Sequence, residues 1–207
     1  MTNQIVALVF KYSVNYEIRR ILYSLKKINW YKENKYYVAL PMELGLFGNK
    51  VTQNSLREMV KKEFKNDHYR RISLQLSRSW KTTGQKVIPN LIEDGFKLKK
   101  YYYIYLTKYG VGGSYHLPNK IILNFQRRKN KYLIKTIIHE IIHLSIEKLI
   151  QKYKISHWQK ERLVDLIVLK VYPKWKEVQK ISQPDKKVDN TFRKYYPDVN
   201  KIIARLA

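Results

Sequence analysis

The chain contains no cysteine among its 207 residues. Disulfide scaffolds, Cys-ligated zinc fingers, iron–sulfur clusters and thiol nucleophiles are thereby excluded, and any metal must be held by histidines and carboxylates. Glycine and proline are scarce, at 7 and 6, yet 44% of the residues are hydrophobic and 14% aromatic. That is not the composition of a disordered polybasic chain. Acids are scarce as well: 42 Lys+Arg face 16 Asp+Glu, so 42 − 16 gives a net charge of +26. No stretch approaches the roughly 20 apolar residues needed to cross a bilayer. The apolar run at 5–10 has neither basic residues before it nor a small-residue cleavage site after it, so it reads as a strand rather than a signal peptide. The expectation is a cytoplasmic, membrane-independent protein of one domain, long enough to bury a hydrophobic core.

Patterning along the chain divides it into a mainly helical part (1–95), a mixed part (96–175) and a tail (176–207). The first part reads as a strand at 5–12, a helix at 16–27, an extended piece at 36–40 and amphipathic helices at 55–64 and 69–80. From 98 the alternation and β-branched content predict two or three strands, through KKYYYIYLT, GGSYH at 112–116 and an apolar run at 121–125. A helix apolar on most sides follows from about 132 and should lie in the core. Ser156 and Gln159 have capping-box spacing, which opens a further helix at 157–172 stopped by Pro173. The tail ends in one short helix.

The apolar helix carries His139-Glu140-Ile141-Ile142-His143. Histidines four apart stand one turn above each other, so both imidazoles can reach one ion, with the intervening Glu140 angled toward a water on that ion. Read as structure alone, the pair is two ordinary helical histidines. Against that, a carboxylate in so apolar a helix costs free energy unless compensated. In the next helix Glu161 and Asp165 also sit four apart, on a segment otherwise filled with Leu, Ile and Val. Stacked acids repel and lose solvation, so they call for a cation or a strong donor, either a metal with its ligating imidazole or a salt bridge to Arg162 or surface lysines.

HEIIH at 139–143 followed by ERLVD at 161–165 resembles the gluzincin metallopeptidases, and GGSYHLPNKIILNF at 112–125 is similar to the strand pair of their small members. The resemblance covers about residues 100–173. It implies an α+β, zincin-like fold in which a small mixed sheet packs on the HExxH helix and the following ligand helix, with additional N-terminal helices. It further implies Zn2+ held by His139, His143 and Glu161, Glu140 as general base toward a zinc-activated water, and Asp165 orienting His139. The strand with Gly113, Ser114 and Tyr115 would be the edge on which a peptide or protein substrate is laid. His157, Tyr172, Tyr195 and Tyr196 are candidates for stabilising the oxyanion. For Glu161 to reach the histidines, the first helix must end near Ile150 or the two must cross at a large angle; the early end is the expected solution.

The charge supports a second reading. Lysine, arginine and tyrosine clusters such as QRRKNK and KLKKYYY suit a nucleic-acid surface, alone or tethering a protease. No recognised nucleic-acid motif accompanies them, and tyrosines alternating through 101–105 place half of themselves in a core.

Overall fold

The computed structural model describes residues 5–46, 52–126, 129–175 and 184–207. It opens with β1 (Ala7–Lys11), α1 (Val14–Lys26) and α2 (Ile28–Glu33), then a 3-10 turn at Met42–Leu46. Helices α3 (Gln53–Glu63), α4 (Asn66–Thr82) and α5 (Ile88–Glu93) follow, with a second 3-10 turn at Gly84–Lys86. Strands β2 (Tyr101–Thr107), β3 (Gly113–His116) and β4 (Lys120–Asn124) come next, then α6 (Asn130–Lys152), α7 (His157–Val171), α8 (Lys186–Tyr195) and α9 (Val199–Leu206). The protein is thus α+β with a small mixed sheet.

The sheet runs β1-β2-β4-β3. β1 and β2 pair in parallel from Ala7↔Tyr101 to Lys11↔Tyr105, β2 and β4 in parallel from Tyr103↔Lys120, and β3 folds back antiparallel on β4 from Gly113↔Leu123. β1 therefore joins the sheet of the mixed part, although about ninety residues separate it from β2. Period-two alternation decides the two faces. Tyr102, Ile104 and Leu106 of β2 and Ile121 and Leu123 of β4 are buried in the main core with Leu133, Ile134, Ile137 and Ile141 of α6. α1 covers the opposite face, where Tyr16 meets Tyr105 edge-on at 4.8 Å. Of the tyrosines at 101–105, only Tyr102 is buried; Tyr103 and Tyr105 are half-buried on the α1 side and Tyr101 is exposed.

Local chemistry accounts for the helix starts. Ser13 caps α1 by accepting from Tyr16 N, and Ser156 caps α7 by accepting from Gln159 N. Only half of the expected capping box forms, since the Gln159 side chain takes the Ser156 hydroxyl rather than its backbone N–H. α6 runs on to Lys152, and Lys154 with φ 53 turns the chain into α7. The early end near Ile150 is therefore not how Glu161 reaches the histidines.

Buried polar bonds fasten the helical part to the sheet. The Glu17 carboxylate of α1 accepts from Tyr69 Oη of α4, from Thr107 Oγ1 of β2 and from Lys108 N at 2.9 Å. Three donors offset the desolvation of this carboxylate, which burial nonetheless pushes above its usual pKa. Among its described residues, the tail holds two helices, not one. Val188, Ile202, Ile203 and Leu206 enter the main core, Arg162 of α7 binds Asp189 through Nε and Nη2 at 2.6 and 2.8 Å, and Tyr196 Oη donates to Asp94. Within α8 only Val188, Phe192 and Tyr195 are apolar among charged and polar neighbours, too few to announce a helix until α7 packs against that face.

Candidate metal centre

α6 and α7 bring together the side chains that spacing singled out. His139 and His143 project from one face of α6, with their Nε2 atoms 2.9 Å apart. Glu161 of α7 meets both, Oε2 lying 3.3 Å from His139 Nε2 and Oε1 3.3 Å from His143 Nε2. Each of the three residues offers an atom within 4.8 Å of the others, and all three are buried. Ligands at about 2.0–2.1 Å from a tetrahedral zinc lie about 3.3 Å from one another. The two Nε2 atoms, 2.9 Å apart, come near that edge length, and Glu161 reaches the two rings through different oxygens, each at 3.3 Å; two imidazoles and a carboxylate are donors that suit zinc.

Asp165, 1% exposed, stands behind His139 with Oδ1 at 3.3 Å from Nδ1. Neither of its oxygens has a well-aligned hydrogen bond, so the imidazole is its counterpart across an ion-pair contact. From there its carboxylate can fix the orientation of the His139 ring. Arg162 does not serve these acids as their salt-bridge partner, being engaged by Asp189.

Electrostatics sorts the protons. Burial opposes charge on both rings, but Asp165 and Glu161 overcome it at His139 and lift its pKa to about 10. At His143 burial prevails over the attraction of Glu161 and holds the pKa down at about 4. The pair thus carries one proton near neutrality, which an entering dication would displace. Glu161 is desolvated too, yet His143 and His139 keep its carboxyl well below the usual range. At Glu140 the compensation falls short: burial, with some repulsion from Glu161, raises it to about 7 despite the pull of His139, Lys160 and Arg20.

The edge strand lies directly on this cluster. A Cβ on Gly113 would stand 2.4 Å from Glu140 Oε1 and 2.6 Å from Thr136 Cγ2, so only glycine lets β3 approach the Glu140 carboxylate this closely. The Tyr115 ring stacks on His143 at 4.9 Å and 14°. Its hydroxyl donates to Glu147 at 2.5 Å and accepts from Lys160 at 2.9 Å. Ser114 points to the other face, where its Oγ is buried without a partner.

Among the oxyanion candidates, His157 alone stands beside the cluster, Nδ1 lying 3.9 Å from Glu161 Oε1. Tyr172 packs on Trp175, Tyr195 lies under Lys194 and Lys201, and Tyr196 is held by Asp94. His157 is itself bonded through Nε2 to Tyr36 Oη at 2.9 Å. Burial, then the charges of Glu161, Glu140 and Asp165, raise the Tyr36 phenol, so it stays protonated and donates. That leaves the proton of a neutral His157 on Nδ1, toward Glu161. Sequence spacing carried no pointer to Tyr36, which lies 121 residues from its partner. Arg20 of α1, buried and near enough for Glu140 to stabilise its charge, is equally absent from any motif. No protein-family model, curated protein or solved structure matches the chain.

Proposed function

We propose that this chain is a zinc-dependent metallopeptidase of gluzincin type, acting on peptides or proteins. One observation carries the reading: buried His139, His143 and Glu161 converge so that each offers an atom within 4.8 Å of the others, and the buried Glu140 carboxylate lies against the edge strand. Bound zinc would supply Lewis-acid polarisation of a carbonyl and a water of lowered pKa.

The chain's own residues do the rest. Glu140 takes a proton from the attacking water, holds it on its carboxylate and returns it to the leaving amine. Asp165 fixes the His139 ring by its Nδ1. The free side of β3 offers backbone groups to an extended peptide, which is held through its main chain whatever its sequence. His157, its Nδ1 proton toward the cluster, is the donor placed to meet a developing oxyanion.

The test is a zinc titration paired with hydrolysis of an unstructured protein such as casein. Wild type should bind one zinc per chain and cleave. Glu140→Gln should bind zinc equally and lose at least about 100-fold in rate, the scale of a positioned general base. A chain that takes up no zinc, or a Glu140→Gln variant that cleaves as well as wild type, would overturn the reading.

A further inference from the structure

Helix α1 buries a cation that no described residue neutralises by contact. Arg20 is 3% exposed, and its Nε, Nη1 and Nη2 have no hydrogen-bond partner. Glu17, three residues earlier, is already occupied by Tyr69, Thr107 and Lys108. A buried, unpartnered guanidinium is strongly unfavourable. Two hydroxyls on the same interface share its condition: Ser24 Oγ, one turn along α1, and Ser114 Oγ of β3 are buried and unbonded. Space has been kept for the guanidinium, because a Cβ on Gly110 (φ +80) would stand 2.2 Å from Arg20 Nε. Beside it opens a cavity of about 290 Å3, lined by Arg20 with Tyr16, Tyr23, Tyr105, His116 and Lys120.

Strand geometry relates this cavity to the edge of the sheet. Gly113 and Tyr115 face α6 and the metal cluster; Ser114 and His116 face α1, where His116 meets the Tyr23 ring at 6.4 Å. A peptide added along β3 repeats the alternation. Every second side chain would then lie on the α1 side, toward Arg20 and His116. Tyr23 lies over the guanidinium, with Arg20 Cζ 5.8 Å from its ring centroid. That ring is 41% exposed and its hydroxyl makes no hydrogen bond among the described residues, so it can swing aside without breaking one.

We propose that the α1 side of the β3 edge is a carboxylate pocket, in which Arg20 receives an aspartate or glutamate side chain of the bound peptide. The peptide rests on the metallopeptidase reading; the pocket does not. A guanidinium fork meets a planar carboxylate bidentately, and the tyrosine walls accommodate its methylenes. Glu17 and Glu140 are within electrostatic reach of Arg20, which favours a monoanion over a dianionic phosphate.

The probes are acetyl-Ala-Glu-Ala-amide, its glutamine counterpart and inorganic phosphate, titrated by NMR into the full chain freed of metal with a chelator. The acidic peptide should bind at least about tenfold tighter than the glutamine peptide, the scale of a charge-assisted hydrogen bond. Arg20→Met should erase that preference and leave the melting temperature equal or higher, since it removes a buried charge at similar volume. Arg20→Lys, charged but without the fork, should retain only part of the preference. Equal binding of the two peptides, phosphate binding tighter than the acid, or a Met variant that fails to fold would overturn the proposal, the last by marking Arg20 as a structural counter-charge. With zinc restored, hydrolysis without preference for acidic peptides would count against the pocket's part in selecting substrates. Acid binding by a chain that hydrolyses nothing would sink the metallopeptidase reading instead.

Discussion

Replacing Glu140 by glutamine should change how the metal-free protein responds to pH, by an amount that the burial of this carboxyl sets. In the folded chain its pKa stands at about 7 against 4.5 for the unperturbed group, chiefly through desolvation. The folded state therefore binds this proton more tightly than the unfolded one. Its contribution to stability is present at low pH and is lost as pH rises through the interval between the two values. At 1.36 kcal/mol per unit, the loss between pH 5 and pH 8 comes to about 2.5 kcal/mol. The raised His139, at about 10, has the same sign but acts from its usual value upward and is present in both proteins. Urea unfolding near pH 5 and near pH 8, with chelator, should show wild type losing about 2.5 kcal/mol more than Glu140→Gln. Equal losses would refute the reasoning, because they would mean that the Glu140 carboxyl is solvated or already paired in the free protein.

Further outcomes follow from the same geometry. Glu161→Ala should weaken zinc binding by more than about 100-fold, the upper scale for outer partners of metal ligands; full occupancy at stoichiometric zinc would remove Glu161 from the ligand set. Gly113→Ala places a methyl 2.4 Å from Glu140 Oε1, so the carboxylate must move by about 1 Å, enough to lower hydrolysis about 100-fold while zinc affinity stays the same. Unchanged turnover would show that Glu140 is not held by the strand. Tyr36→Phe removes the donor to His157 and should cost about 1 kcal/mol in urea unfolding, with zinc affinity unaffected; lost zinc binding would place Tyr36 in support of the ligands themselves.

Why some of these residues were visible beforehand and others were not follows from the range of the forces involved. His139 with His143, and Glu161 with Asp165, are helical neighbours at a spacing of four, and helical periodicity is a local property of the chain. A scarcity of acids sharpened the signal, since carboxylates in apolar helices stand out among 16. The strands at 101–107 and 120–124 were legible through their β-branched and aromatic alternation. Short elements such as α2 and α5, at six residues each, show too little periodicity to be read.

By itself the sequence determined which side chains could share an ion, because one helical turn aligns them regardless of what the helix packs against. Tertiary structure alone decided that β1 pairs with β2 from the far end of the chain. It also decided that Tyr36 closes on His157 and that Arg20 is buried against Gly110 without a partner. Those arrangements join residues far apart in the chain. They are stabilised by burying apolar surface between whole elements, a force without direction that leaves no spacing rule in the sequence to announce which polar groups it will bring together.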